Sequence, residues 1–529
     1  MTFNYKFDEK VVMTDGNKLS TILAIETNKN LEHDVLDTIV IRTPYSAKGM
    51  FSLIPAIAPK LIQKFHWVLQ DCRGRYDSDG DFAILDEEQD TLDTLNWITK
   101  QNWSNNRVHI FGPSYLGWVA LQVIQKNSNA TIVSVFAPMT FSNLQEGVIT
   151  TNGMLNLHHS LAWSMMMSTK VQPSISLINE KWDDFYYKAR RKGPILAGWP
   201  NRVWDSFSKI ETLANKKIEF YEDHSFATKI TLVASYFDFI CDASLKLYVE
   251  LAEIGGVPPN MIIGPWGHNG YLSSLGSVGK FELNEEGKGN IIKDLNEHFS
   301  TLTNGGLSKS AIKIFILRKG VWVNFLKLPE FKNKTVYYLS SKNQMSLKLD
   351  TQDVDELIIQ ANITNPVKTN GGPCWDNALA TGLLPGPVDQ RGINNRDDIL
   401  KFYSSPLEED IVIMSKVKIK TYIKASKVAS TITGKLNVVL ENGEEVILQN
   451  GITKVNNTDD YQNIDIDLSF TSVEIKKGEK LMVELSWSNF PFYNLPDHDS
   501  DYKLWISINQ ENPTTLEFAN YLTNENSDE

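Results

Sequence analysis

Phe111-Gly112-Pro113-Ser114-Tyr115-Leu116-Gly117 is the stretch whose reading decides the fold. Before it stands a short apolar run, Val108-His109-Ile110-Phe111, that reads as a buried strand. After it, Trp118-Val119-Ala120-Leu121-Gln122-Val123-Ile124 has the apolar density and freedom from breakers of a buried helix. A serine on a strand-to-helix turn between glycines is a nucleophile elbow: the tight turn needs small neighbours and lifts the hydroxyl out of the sheet. Here the second glycine comes one residue later than in Gly-x-Ser-x-Gly. Taken alone, the motif also fits a structural turn, so its surroundings decide.

Upstream, residues 11–41 are strand-like, with alternation over 19–25 and an apolar run over 37–41. Arg42-Thr43-Pro44-Tyr45 follows. It fits a surface loop, because Pro44 disfavours helix for the residue before it. It also fits the loop after an early strand that completes an oxyanion hole in hydrolases of this type. Residues 67–71 form a further strand, and the polar, Gly-rich segment 72–82 reads as a loop. Its Asp77, Asp79 and Asp81, with Glu88, have the spacing of a calcium loop. Phe82 stands where that loop needs glycine, however, and a strand rather than a helix precedes, so no calcium is expected. Helical spacing runs from 84 to 101, and 131–136 is the next strand.

Between Met139 and Thr228 the alternation stops. The segment is rich in Trp, Met and Tyr (Trp163, Met165, Met166, Met167, Trp182, Tyr186, Tyr187) and predicts a helical cap over the site. His158-His159 are adjacent and so point to different helix faces, and no His-Glu-x-x-His occurs, so no metal is expected. Alternation resumes with a strand over 230–234 that ends in Ser235-Tyr236-Phe237-Asp238. A helix over 242–254 follows, with Asp242 as its N-cap, then a strand over 261–264 and Pro265-Trp266-Gly267-His268. Such sheets carry their sites at the carboxyl ends of strands. Ser114, Asp238 and His268 stand there, in the chain order of α/β-hydrolase triads. Asp242 competes for the acid role, but a cap accounts for it without catalysis.

From about residue 334 short alternating runs recur, at 336–339, 410–413, 417–423, 436–440, 464–468, 481–485 and 504–508. They predict an all-β sandwich or jelly roll, with a polar linker over 364–396. The expected fold is therefore α/β. An α/β-hydrolase domain spans 1–139 and 229–325, a helical cap is inserted at 140–228, and a jelly-roll β-sandwich spans 326–529. A net charge of −12 without any Lys/Arg block argues against nucleic acid. Three cysteines, Cys72, Cys241 and Cys374, are too few for a disulfide framework and fit a reducing compartment. The start of the chain has no signal-peptide pattern. The longest apolar stretch, 51–59, is far short of the ~20 residues of a membrane helix. The expectation is a cytoplasmic protein with no membrane partner and no cofactor; a homodimer is compatible with the sequence.

In order and spacing, Arg42-Thr43-Pro44-Tyr45, Gln70-Asp71-Cys72-Arg73-Gly74-Arg75, Gly112-Pro113-Ser114-Tyr115-Leu116-Gly117, Phe237-Asp238 and Gly264-Pro265-Trp266-Gly267-His268 resemble the cocaine esterase and X-prolyl dipeptidyl-peptidase (CocE/NonD) superfamily of serine hydrolases. Arg396-Asp397-Asp398-Ile399-Leu400, Ser405-Pro406-Leu407 and Ser488-Asn489-Phe490-Pro491 extend the resemblance over nearly the whole chain. It implies an α/β-hydrolase domain, a helical cap and a C-terminal jelly roll. It also implies that Ser114, His268 and Asp238 form the triad, and that the Tyr45 hydroxyl and the Tyr115 backbone N–H form the oxyanion hole. Two stretches depart from the family pattern, Ala429-Ser430-Thr431-Ile432-Thr433 and Phe315-Ile316-Leu317-Arg318-Lys319-Gly320, and both bear on the cap–sandwich interface.

The expected substrate is a small ester, amide or short peptide. Esterase-like action on an apolar acyl group is the default, with Trp163, Trp266, Phe239 and Ile240 near the pocket. An X-prolyl dipeptidyl-peptidase or an α-amino-acid ester or β-lactam acylase would need a carboxylate for a free amine, and Asp183-Asp184 in the cap could serve. A biosynthetic acyltransferase or a non-catalytic hydrolase-fold binding protein are the readings of another class, since fold does not fix function.

Overall fold

The computed structural model describes residues 3–26, 36–57, 64–82, 84–126, 128–171, 216–221, 228–254, 256–303, 311–330, 334–350, 356–375, 383–456 and 459–521. The strands that hold the site are β1 (Phe3–Val12), β2 (Lys18–Glu26), β3 (Thr38–Thr43), β4 (His66–Asp71), β5 (Arg107–Phe111), β6 (Thr131–Pro138), β7 (Lys229–Ser235), β8 (Asn260–Gly264), β9 (Ile312–Ile316) and β10 (Val321–Phe325). They form one sheet in the order β1-β2-β4-β3-β5-β6-β7-β8-β9-β10. From β4 to β9 every pairing is parallel, and the antiparallel β1, β2 and β10 close the two edges. Parallel strands are covered on both faces, which is why β3 and β4 read as continuous rather than alternating runs: each is buried at all six positions.

Helices α1 (Ala47–Ile57), α2 (Glu88–Ile98), α3 (Tyr115–Leu121), α4 (Leu157–Met167), α5 (Cys241–Glu253) and α6 (Ile291–Thr303) accompany the sheet. Sequence pattern did not announce α1, because Gly49 and Pro55 interrupt its period. Tertiary contact starts it instead: Ala47 N–H donates to the Asp71 carboxylate at 2.7 Å, satisfying one of the orphan donors of a helix start. The helix after the elbow begins at Tyr115, earlier than its apolar run suggested, and gives way to turns after Leu121. Asp242 is not the N-cap of α5. Ile240 holds that position, and the Asp242 carboxylate lies 3.5 Å from Lys416 Nζ of the β-sandwich.

Of the expected cap, residues 140–171 are described together with a short return segment. They form a small hairpin, Thr150–Thr151 with Met154–Leu155, and then α4. Trp182, Asp183, Asp184, Tyr186 and Tyr187 lie outside the described residues.

The C-terminal domain is all-β, with eleven strands among the described residues. The runs at 410–413 and 417–423 join into one strand, Ile411–Ala425, which passes through a bulge between Lys416 and Lys418. Glu445–Val455 escaped the sequence reading because Asn450-Gly451 is a turn signal. Here the glycine serves close packing: a Cβ on Gly451 would stand 2.0 Å from the Asp467 carbonyl oxygen. The divergent stretch 315–320 turns out to be a junction between the two domains. Leu317 exchanges backbone hydrogen bonds with Ser472 and Glu474 at 3.0 Å each. Arg318 forms a fork with both Glu479 oxygens at 2.7 Å. Among the described residues no helix is long and apolar enough to cross a membrane.

Candidate active site

Ser114 sits between β5 and α3 at φ 55, ψ −123, outside the regions an L-residue prefers. Neighbouring backbone makes the turn possible and fixes it. Ser114 N–H donates to Pro138 O at 2.8 Å, and Thr140 Oγ1 donates to Ser114 O at 2.8 Å. A Cβ on Gly112 would fall 2.5 Å from Leu116 Cβ, and one on Gly117 would fall 2.6 Å from Thr140 Oγ1. The late glycine of the motif is thus the one that lets α3 close on Thr140.

Asp238 follows β7 and His268 follows β8, and both side chains are buried. His268 Nδ1 stands 3.0 and 2.9 Å from the two Asp238 oxygens, and His268 Nε2 stands 3.1 Å from Ser114 Oγ. A carboxylate can only accept, so the Nδ1 side carries the hydrogen and Nε2 is left to accept from serine. Ile240 N–H gives Asp238 a further donor at 3.2 Å. The loop carrying Asp238 is gripped by the β-sandwich: Gln449 Nε2 donates to Tyr236 O at 2.7 Å, and Cys374 N–H donates to Phe237 O at 3.2 Å.

Tyr45 stands at the carboxyl end of β3 and lines the same cavity as Ser114. Its hydroxyl accepts from Trp163 Nε1 at 3.0 Å, and burial pushes its pKa up, so it stays protonated. Arg75 holds the loop behind it, donating to Pro44 O at 2.9 Å and to the Met166, Met167 and Thr169 carbonyls at the end of α4. The Tyr115 N–H is the first of α3 and belongs to the set a helix cannot bond internally.

Residues 30–270 match the X-Pro dipeptidyl-peptidase (S15) family, and residues 304–514 match the X-Pro dipeptidyl-peptidase C-terminal non-catalytic domain. The chain belongs to the cocaine esterase and X-prolyl dipeptidyl-peptidase superfamily of serine hydrolases. Among members of the superfamily, the cocaine esterase of Rhodococcus sp. (strain MB1 Bresler) is 22% identical over 560 residues, covering 93% of this chain and 92% of that protein. An aminopeptidase from the marine sediment archaeon Thaumarchaeota archaeon shares the fold at TM-score 0.78 and 18% identity, over 98% of this chain and 96% of that one. An α-amino acid ester hydrolase does so at TM-score 0.75 and 15% identity, over 98% and 97%.

Beside Ser114 this superfamily member has a cavity of about 280 Å³. Trp163, Phe239 and Ile240 line it as the sequence suggested. Trp266 does not. Its indole folds back on β8, lying 2.2 Å from where a Gly264 Cβ would stand, donates to Gly287 O at 2.8 Å and packs against Tyr271 and Trp322. Adjacency to His268 in sequence suggested the pocket; the glycine two residues earlier was the signal for the other direction. Sequence reading also missed His159 and Trp375, which line the cavity. A tryptophan inside the otherwise polar linker 364–396 was the available sign. Among the described residues, no Asp, Glu, Lys or Arg lines the cavity.

Proposed function

We propose that this hydrolase cleaves an ester or amide acyl bond through an acyl-enzyme on Ser114. His268 takes the serine proton as the hydroxyl attacks the acyl carbon, then returns it to the leaving group. Asp238 holds the imidazole tautomer and stabilises the imidazolium. The Tyr45 hydroxyl and the Tyr115 N–H stabilise the tetrahedral oxyanion, and water activated by His268 releases the acid. The observation that carries this reading is the single imidazole bridging Asp238 and Ser114 at 2.9 and 3.1 Å.

The apolar wall favours esterase-like action on an uncharged acyl group, since a buried ammonium without a counter-ion is costly. The same reading assigns the reacting residues to a catalytic domain of 1–139 and 229–325, with the segment 140–228 and the sandwich 326–529 enclosing it. We place the reaction in the cytoplasm on the strength of three free, buried cysteines.

Release assays on wild type and Ser114→Ala test the proposal, with a short-chain p-nitrophenyl ester and Ala-Pro-p-nitroanilide as substrates. Ester cleavage that is lost in the variant, with the anilide left intact, is expected. Efficient anilide cleavage would replace the esterase reading with the dipeptidyl-peptidase one. Acyl transfer to an added amine or alcohol in preference to water would replace hydrolysis with transfer.

A further inference from the structure

Next to the cavity beside Ser114 lies a second one, of about 150 Å³, with the opposite chemistry. No Asp, Glu, Lys or Arg lines the first among the described residues. The second is lined by Glu146, Asp238, Asp242 and Asp467 against Lys246 and Lys416, so carboxylates outnumber ammonium groups. These charges are not sealed within the protein: the side chains of Asp242, Asp467 and Lys416 keep 29%, 48% and 50% of their surface exposed.

The wall between the two cavities is thin. Three chain segments turn close neighbours to opposite sides. Leu144 and Val148 line the first cavity and Glu146 the second; Ile240 lines the first and Asp238 the second; Trp375 lines the first and Pro373 the second. Among the described residues, Phe239 alone lines both. Its side chain is only partly buried. On the apolar side its ring centroid is 4.1 Å from that of His159, 5.1 Å from that of His268 and 6.0 Å from that of Trp375. On the other side it packs against a small core that contains Phe492 and Tyr493, both of which line the charged cavity.

An ammonium taken out of water needs a counter-ion. Carboxylates that could supply one are close to the acyl cavity, but an aromatic ring stands between. We infer that Phe239 is a specificity-determining residue of the acyl site: its ring closes the apolar cavity against the neighbouring carboxylates and so restricts the acyl group to uncharged ones. The inference rests on the hydrolase reading above and names what sets the substrate class of that same site. Trimming the ring to a methyl group leaves space that its neighbours refill only in part. The cationic end of a long acyl chain would then reach the side of the wall on which Glu146, Asp242 and Asp467 stand.

The p-nitrophenyl esters of heptanoate and 6-aminohexanoate test this, because their acyl chains match in length and differ by CH₃ against NH₃⁺ at the end far from the reacting carbon. In the wild type the heptanoate is expected to exceed the aminohexanoate at least a hundredfold in kcat/KM. In Phe239→Ala that ratio should fall tenfold or more, because only the charged member gains a partner. Phe239→Val leaves more of the wall and should give an intermediate ratio; it also carries the test if the alanine variant does not fold. Each ratio is taken within one protein, so a general loosening of the site weakens both esters alike and leaves the ratio where it was. A ratio that keeps its wild-type value in both variants would overturn the inference, as would equal hydrolysis of the two esters by the wild type. Folded variants that hydrolyse neither ester would also overturn it, by making Phe239 a support for His268 instead of a wall. All three results could stand beside Ser114-dependent hydrolysis in the wild type. Failure of the wild type to hydrolyse the heptanoate would instead overturn the hydrolase reading on which the inference rests.

Discussion

Trp163 Nε1 donates to the Tyr45 hydroxyl oxygen at 3.0 Å. An indole N–H cannot accept, so the phenol is the acceptor of this pair and its own proton must be directed elsewhere. Tyr45 and Ser114 share one cavity wall, so that proton is available to the oxyanion of the proposed mechanism. Trp163 thus does more than line a pocket: it orients and polarises the proposed oxyanion donor. Trp163→Phe keeps an aromatic wall but removes the donor. A net hydrogen bond of about 1 kcal/mol corresponds to a loss of several-fold to tenfold in kcat/KM. Tyr45→Phe should cost about a hundredfold. The decisive comparison is Trp163→Phe in a Tyr45→Phe background, where no further loss is expected. A full additional loss there would show that Trp163 acts independently of Tyr45.

The displaced glycine of the elbow makes a second prediction. A methyl group on Gly117 would press on Thr140, whose hydroxyl holds the Ser114 carbonyl. Gly117→Ala should destabilise the fold by about 1–3 kcal/mol, as overpacking does. It should also lower kcat by at least tenfold, because the serine moves with its turn. Thermal unfolding and ester kinetics together check this; a variant that keeps the wild-type kcat would mean the elbow tolerates the shift.

The β-sandwich takes part in the site through Gln449. Its amide, fully buried, donates to Tyr236 O at 2.7 Å and Phe470 O at 3.0 Å. Gln449→Leu leaves both carbonyls without that donor, at an expected cost of about 1–3 kcal/mol. Since Tyr236 lies two residues before Asp238, kcat should fall while KM changes little. Loss of stability with unchanged kcat would show that the sandwich supports the fold without positioning the acid.

Acid sensitivity follows from buried histidines. Burial holds His66 and His158 at about 4 and His159 at about 3, against about 6.5 in an unfolded chain. From about pH 4 to 6.5 the unfolded state therefore binds more protons than the native state, and stability rises with pH. Asp71 opposes this. Burial raises it to about 6, so the native state keeps a proton that the unfolded chain has lost, and this one group's contribution falls as pH rises from 3.8 to 6. His298, also pushed well down by burial, adds to the rise, while burial raises Glu87 and Asp294 and sets them beside Asp71. The four histidines, with the wider gap to their unfolded values, outweigh the three carboxyls, and urea midpoints should climb between pH 4.5 and 6.5. Asp71→Asn should steepen the climb. A flat or falling profile would contradict the assignment of these histidines as neutral in the fold.

The legibility of the sequence followed the physics of each element. Parallel strands buried on both faces leave unbroken apolar runs, so β3, β4, β5, β7 and β8 were visible, and with them the strand ends that bring Ser114, Asp238 and His268 together. The α1 helix was not, because its start depends on Asp71, twenty-four residues from Ala47, and its own sequence contains a proline. Asp242 looked like a cap because Asp often is one; its partner, Lys416, comes from another domain. Trp266 shows the limit of reading a pocket from adjacency, since its indole packs over Gly264, where a side chain would leave it no room. Trp375 and His159 reach the cavity only through tertiary packing that no local period encodes.

The central claim is that Ser114 carries the acyl group. The most direct measurement is mass analysis of the protein quenched during turnover of a p-nitrophenyl ester, followed by peptide mapping. The expected result is a single acyl adduct on the peptide containing Ser114, absent from Ser114→Ala, which should also lose ester hydrolysis. An adduct on a different residue, or wild-type turnover by Ser114→Ala, would contradict the account.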